Sequence, residues 1–308
     1  MSTAFSIGEA LASGFKLARA RPLHVWAWGV VGAAPALIAV LLMLKLFGTL
    51  SPEALSSEGP PAELIAEMIQ FQIWSGLLNI LQALMWVVVA GAVFRAILFP
   101  DRATPYAGLK IGMDEVRVAV VGLAMIVALY AAMIVILLIA FAFGAALWFV
   151  SEAAAVTVGL LIACGAGLAL WWLFLRCAMI MPASVALNDF AFVPGWKLAR
   201  GQVLRLLVLS VAIVFIVLAI ELALFAVGAV ILFLTVGANL FSLLAAAEQG
   251  ATPDIDWGAL LGWGLVAFVP LSWLHGFLNT VMLAPYAQAC RSLLAQQPQD
   301  ATPPVELG

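Results

Sequence analysis

Six long apolar stretches govern what this 308-residue chain can become. They run over about 24–48, 72–99, 118–149, 154–181, 204–235 and 259–290, and each reaches the ~20 residues that an α-helix needs to cross a bilayer. In hydrocarbon every backbone N–H and C=O must be satisfied within the protein, and a helix does this within one segment. Composition agrees: 66% of residues are hydrophobic and 9% charged, with a mean hydropathy of +1.18, where a soluble domain carries about 25% charged residues. The expected fold class is an all-α polytopic membrane protein with six transmembrane helices.

Charge position then orients the chain. Of its 13 basic residues, Lys16, Arg19, Arg21, Arg95, Arg102, Lys110, Arg117, Arg176, Lys197, Arg200, Arg205 and Arg291 fall at one set of span ends, leaving Lys45 alone at the other. Under the positive-inside rule both termini are expected in the cytoplasm, as in an inner-membrane protein. The opposite side collects Glu53, Glu58, Glu63, Glu67, Glu152, Glu248, Asp254 and Asp256, on connections of about 49–71, a tight turn at Ser151-Glu152, and 236–258. The first apolar run is too long for the h-region of a cleaved signal peptide and reads as a retained span. Trp86, Trp171, Trp172 and Trp273 lie deep in their spans and read as packing residues.

A short motif recurs. Gly14-Phe15-Lys16-Leu17-Ala18-Arg19 is echoed by Gly195-Trp196-Lys197-Leu198-Ala199-Arg200, and more faintly by Gly108-Leu109-Lys110-Ile111-Gly112. Each copy precedes a membrane-length run, so the reading is three like-oriented helical hairpins, at about 5–100, 104–182 and 193–291, within one transmembrane domain of residues 1–291. Each hairpin begins with helix-start chemistry: Ser6 and Glu9 fit a capping box, while Pro105 and Pro194 suit a first helical position. Ser6, Glu9, Ser13 and Lys16 form a polar stripe opposite Ile7, Leu11, Phe15 and Ala18, as a helix lying in the membrane interface requires. The tail 292–308, rich in Gln and Pro, is expected to be disordered.

The connection from Met181-Pro182 to Pro194, followed by W-K-L-A-R-G and a long apolar span, resembles the bacterial membrane-domain family named after glycerophosphoryl diester phosphodiesterases. That resemblance implies a polytopic inner-membrane fold. It implies phosphodiesterase chemistry only where a soluble catalytic barrel is fused to the membrane part, and no such domain is recognisable in these residues.

Candidate functional groups are few. Asn79 and Gln82 share a helix face in the second span, His275 and Asn279 sit in the sixth, and Glu221 lies near the middle of the fifth. Counted at about 1.5 Å per residue, Glu221 and His275 reach similar depth, so the five form a candidate intramembrane polar cluster, with interhelical hydrogen bonding as its plainer role. Lys16, Arg19, Lys110, Lys197 and Arg200 are candidate headgroup contacts. Asp254 and Asp256 are too few ligands for a hard cation, His24 beside Trp26 reads as an interfacial residue, and Cys164, Cys177 and Cys290 read as buried thiols. No nucleotide-binding, zinc or nucleophile motif is recognisable, so neither an enzyme, a cofactor nor a nucleic-acid partner is expected. The expected function is to organise, sense or bind membrane lipid; the alternative is a transporter or lipid conduit whose path passes Glu221 and His275. An unidentified membrane-protein partner fits either role.

Overall fold

The computed structural model describes residues 4–49, 62–101, 105–248 and 257–296, and its regular elements are all helical. In chain order they are α1 (Ile7–Ala20), α2 (Pro22–Thr49), α3 (Ala62–Leu98), one 3₁₀ turn (Pro105–Gly108), α4 (Met113–Trp148), α5 (Glu152–Cys177), α6 (Ile180–Ala186), α7 (Phe192–Ala199), α8 (Val203–Glu248) and α9 (Trp257–Ala295). Six segments among the described residues are long and apolar enough to cross a membrane, the fourth running from α5 on through α6. The chain is a multi-pass, all-α membrane protein. Asp254, Asp256, Arg102, Thr104 and residues 297–308 lie outside the described residues, whereas the first residues of the expected tail, 292–295, belong to α9.

The helices outrun the spans read from hydropathy. α3 starts ten residues earlier than the second apolar run, and α8 has 46 residues, roughly 70 Å at ~1.5 Å per residue against ~30 Å of hydrocarbon. Window hydropathy marks what dissolves in lipid; it does not mark where a helix stops.

The best packed part of the bundle is α2 against α9, with α3 closing one side and α1 lying on α9. Small residues make this possible. A methyl group added at Gly29 would land on the Ser272 carbonyl, and one at Gly276 on the Val25 carbonyl, so the two backbones touch here. Van der Waals contact of this kind is the main source of helix association in lipid, where no hydrophobic force separates protein from solvent. Pro35, Pro270 and Pro285 sit inside α2 and α9.

The α4–α5 hairpin is turned by Ser151, whose Oγ accepts from the Ala154 N–H at 3.4 Å. Between residues 126 and 148, α4 keeps only Ala132, Ile136, Ala140, Gly144 and Leu147 half-buried, largely at intervals of four. Elsewhere it exposes Leu137, Leu138 and Phe141. One narrow stripe meets α5 and the rest of the helix faces the hydrocarbon, as expected where the solvent is itself apolar.

At the basic end, two copies of the recurrent motif adopt one burial pattern. Gly14, Leu17 and Ala18 are buried while Lys16 and Arg19 are exposed; Gly195, Leu198 and Ala199 are buried while Lys197 and Arg200 are exposed. Each glycine rests on a neighbouring backbone, Gly14 on Val281 of α9 and Gly195 on Ile180 of α6. The third copy differs, for Leu109 to Ile111 has no helix and Ile111 is 88% exposed. Where a helix opening at Pro105 was expected, the chain makes a single 3₁₀ turn. α7 also starts earlier than expected, at Phe192, which places Pro194 third in its first turn.

α1 forms as its cap chemistry requires, Ser6 Oγ accepting from the Glu9 N–H at 3.3 Å. Glu9 does not reach back to complete the box; its carboxylate accepts from Gln288 Nε2 of α9 at 3.1 Å. The buried face of α1 is Ala10, Ser13, Gly14, Leu17 and Ala18, rotated from the expected stripe of Ile7, Leu11, Phe15 and Ala18. Docking against α9 favours the small residues, and Ser13 satisfies its hydroxyl on the Ala10 carbonyl at 2.6 Å.

Candidate functional site

Three of the five intramembrane polar residues come together around Gly32 of α2. Gln82 Nε2 donates to the Gly32 carbonyl at 2.9 Å, in the turn where Pro35 removes an intrahelical donor. The His275 ring lies against Gly32, and a methyl added there would meet it at 3.0 Å. Asn279 turns back on its own helix, its Nδ2 donating to the His275 carbonyl at 3.0 Å. Ser272 and Thr280, both fully buried, likewise bond carbonyls of α9. Asn79 and Glu221 are exposed on α3 and α8, and among the described residues neither has a hydrogen bond or ion pair to this group. Depth counting places Glu221 and His275 at one level, but from Glu221 to Gly228 every residue of α8 is exposed, so this stretch of the helix packs no face against the group. What remains is mostly interhelical and intrahelical satisfaction of polar groups in a low-dielectric medium.

A denser charged cluster lies at the basic end. Arg95, in the last turn of α3, is 6% exposed and Glu115, in the first turn of α4, is 3% exposed. Arg95 Nη1 meets Glu115 Oε1 at 2.5 Å and Asp114 Oδ2 at 3.3 Å, while Nη2 donates to the Gly108 carbonyl at 2.7 Å. Glu115 Oε2 accepts from the Gly112 N–H at 2.9 Å. Arg117 Nη1 bridges Asp114 at 3.0 Å and Asn188 Oδ1 at 3.3 Å. Lys110, one of the expected headgroup contacts, lies 3.6 Å from Asp114.

Burial at this depth is tolerable for charges only when they are paired. The cluster ties α3, the 3₁₀ turn, α4 and the α6–α7 connection together. The turn itself is held twice, because Trp28 Nε1 donates to the Ala107 carbonyl at 2.8 Å beside the Arg95 contact to Gly108. Ala107 sits at φ 58°, a left-handed conformation that costs an alanine about 1–2 kcal/mol and that these two grips maintain.

The remaining expected headgroup residues divide. Lys16 lines a groove of about 290 Å³ with Glu9, Ser13, Arg21, Gln288 and Pro100, whose wall Arg21 fixes by donating to the Pro100 carbonyl at 3.1 Å. Arg19, Lys197 and Arg200 are exposed.

Two further concave features are apolar. Two adjoining cavities of about 460 and 470 Å³ share Trp86, Met125, Phe174, Cys177 and Met181 as walls. The first extends to Ser210 of α8 and to Met282 and Tyr286 of α9, the second along α4 past Gly122 and Leu129. Each lies within the roughly 300–1,000 Å³ of small-molecule sites. Tyr286 has no hydrogen-bond partner among the described residues. Ser210 bonds Leu207 O of its own helix at 3.0 Å.

These cavities lie between segments distant in sequence, which is why the sequence marked Trp86 and Trp171 only as packing residues. Their available signal was Trp86 and Trp171 in the interior of spans, away from the interface belts where tryptophan is usual.

Fold and site together define a multi-pass membrane protein with paired apolar cavities among its helices and a charged cluster at its basic end. No family model, curated protein or solved structure matches the chain.

Proposed function

We propose that the protein binds membrane lipid, without catalysis, in the paired apolar cavity between α3, α4, α5, α6, α8 and α9. The observation that carries this reading is the cavity's chemistry and setting: hydrocarbon-like walls, among helices whose outer faces are themselves solvated by acyl chains. A ligand arriving from that solvent is an acyl chain, and Tyr286 offers one hydroxyl to an ester or headgroup oxygen. The near-identical burial of the motifs at Gly14 and Gly195 supports an internal repeat, the concentration of basic side chains at one end supports cytoplasmic termini, and a bacterial inner membrane follows from the family resemblance alone. Kinship with the membrane-domain family rests on the same short motif and on the proline-containing connection before it.

The alternative polar conduit past Glu221 and His275 finds less support, since Glu221 is exposed away from the cluster and Asn279, Ser272 and Thr280 are spent on their own helix. Cys177→Trp, which fills the wall common to both cavities, is expected to halve or abolish the lipid retained by the purified protein in native mass spectrometry while the elution profile stays unchanged. Undiminished lipid retention in a folded Cys177→Trp protein would remove the basis of the reading.

A further inference from the structure

Two aromatic clusters stand at the basic end, one beside each copy of the helical motif. In the first, Trp273 lies flat on Phe277 at 5.3 Å, and Phe15 of the motif meets Phe277 edge-on at 5.7 Å. In the second, Trp172 and Trp196, which holds the same motif position as Phe15, meet edge-on at 6.3 Å, and Arg176 Cζ sits 5.4 Å from the first ring and 4.7 Å from the second. The spacing repeats as well: Trp273 and Phe277 are four residues apart, as are Trp172 and Arg176, and in each case the motif glycine rests on the backbone four residues further on, at Val281 and Ile180. The side chain that touches both rings is therefore phenylalanine in one cluster and arginine in the other.

Packing does not call for the charge, because Phe277 fills the corresponding place without one. Nor is the charge neutralised as Arg95 is. Arg95 also ends a membrane helix, but Glu115 and Asp114 answer it. Among the described residues Arg176 has no carboxylate within ion-pair distance, and its Nε is buried without a hydrogen bond. A guanidinium half-desolvated against two indoles keeps its charge and its planar donors. Trp172 is 49% exposed and the neighbouring cations Lys197 and Arg200 are exposed, so the clamp opens outward.

We infer that Arg176, held by Trp172 and Trp196, binds the phosphate of an anionic phospholipid. This goes beyond the acyl-chain cavity. Trp172 and Arg176 share one face of α5, whereas Phe174 and Cys177, which line the cavity, share another.

The test titrates the purified full chain in detergent with phosphatidylglycerol and with phosphatidylcholine, read by native mass spectrometry. The wild type should prefer phosphatidylglycerol by roughly fivefold, the effect of one cation near an anionic surface. Arg176→Phe, which copies the other cluster, should fold and bind both lipids alike. Should that variant not fold, Arg176→Lys and Arg176→Gln carry the same comparison, the preference staying with lysine and going with glutamine. The inference is overturned if the wild type shows no preference, if Arg176→Phe keeps it, or if lysine and glutamine behave alike. Inorganic phosphate at millimolar concentration should not remove the preference; if it does, the ligand is a free anion and the lipid assignment fails. Cys177→Trp should leave the preference intact while reducing total retained lipid, so the headgroup site and the cavity stand or fall separately.

Discussion

Gly276→Val should unfold the bundle from its best packed contact. The added side chain would enter the space held by the Val25 carbonyl and the backbone of Gly29, and no rotamer can relieve a clash with backbone. α2 and α9 must separate, losing dispersion contacts along the whole seam. Overpacking typically costs about 1–3 kcal/mol and sometimes more, and about 3 kcal/mol corresponds to an apparent melting temperature lower by roughly 6–12 °C for a chain near this size. Gly29→Val should behave alike, because its methyls would meet the Ser272 carbonyl. Gly144→Ala and Gly165→Ala, where nothing lies within 4 Å of an added methyl, should leave the melting temperature unchanged. Thermal unfolding followed by size-exclusion fluorescence compares the four variants, and equal stability among them would refute the seam.

The second large effect belongs to the buried ion pair. Arg95→Met leaves the Glu115 carboxyl without its partner in a site 3% exposed and frees the Gly108 carbonyl from its donor. Removing one partner of a buried pair costs about 3–5 kcal/mol, because the other charge stays desolvated. Glu115→Leu should cost less, since Asp114 still answers Arg95 at 3.3 Å. The double variant Arg95→Met/Glu115→Leu should recover much of the loss, as buried pairs often exchange for apolar side chains at little net cost. The expected signature in a double-mutant cycle is a coupling of at least ~1 kcal/mol. Additive effects would mean that the two side chains do not act as a pair.

Different physical terms made different parts legible. Spans follow from local hydropathy, and the cap at Ser6 and the turn at Ser151 follow from local backbone chemistry, so all of these could be read from the chain. Asp114 and Glu115 went unremarked because they sit among basic residues at the end where only positive charge was expected. The signal available was Arg95 itself, an arginine three residues inside the end of an apolar helix, which needs a partner. Glu221 shows the opposite limit. Counting residues gives depth along a helix, but not whether that stretch packs against the bundle, and α8 is exposed on every side from Glu221 to Gly228. The pairing of Gly29 with Gly276, over nearly 250 positions, is likewise a property of the packed bundle.

The central claim is that acyl chains occupy the paired cavity. A phospholipid carrying a photoactivatable diazirine within its acyl chain, incorporated into membranes with the protein and mapped after illumination, tests it most directly. Adducts are predicted on Met125, Phe174, Cys177 and Met181; adducts confined to outward-facing residues such as Leu138, Leu168 and Phe225, with none in the cavity, would contradict it.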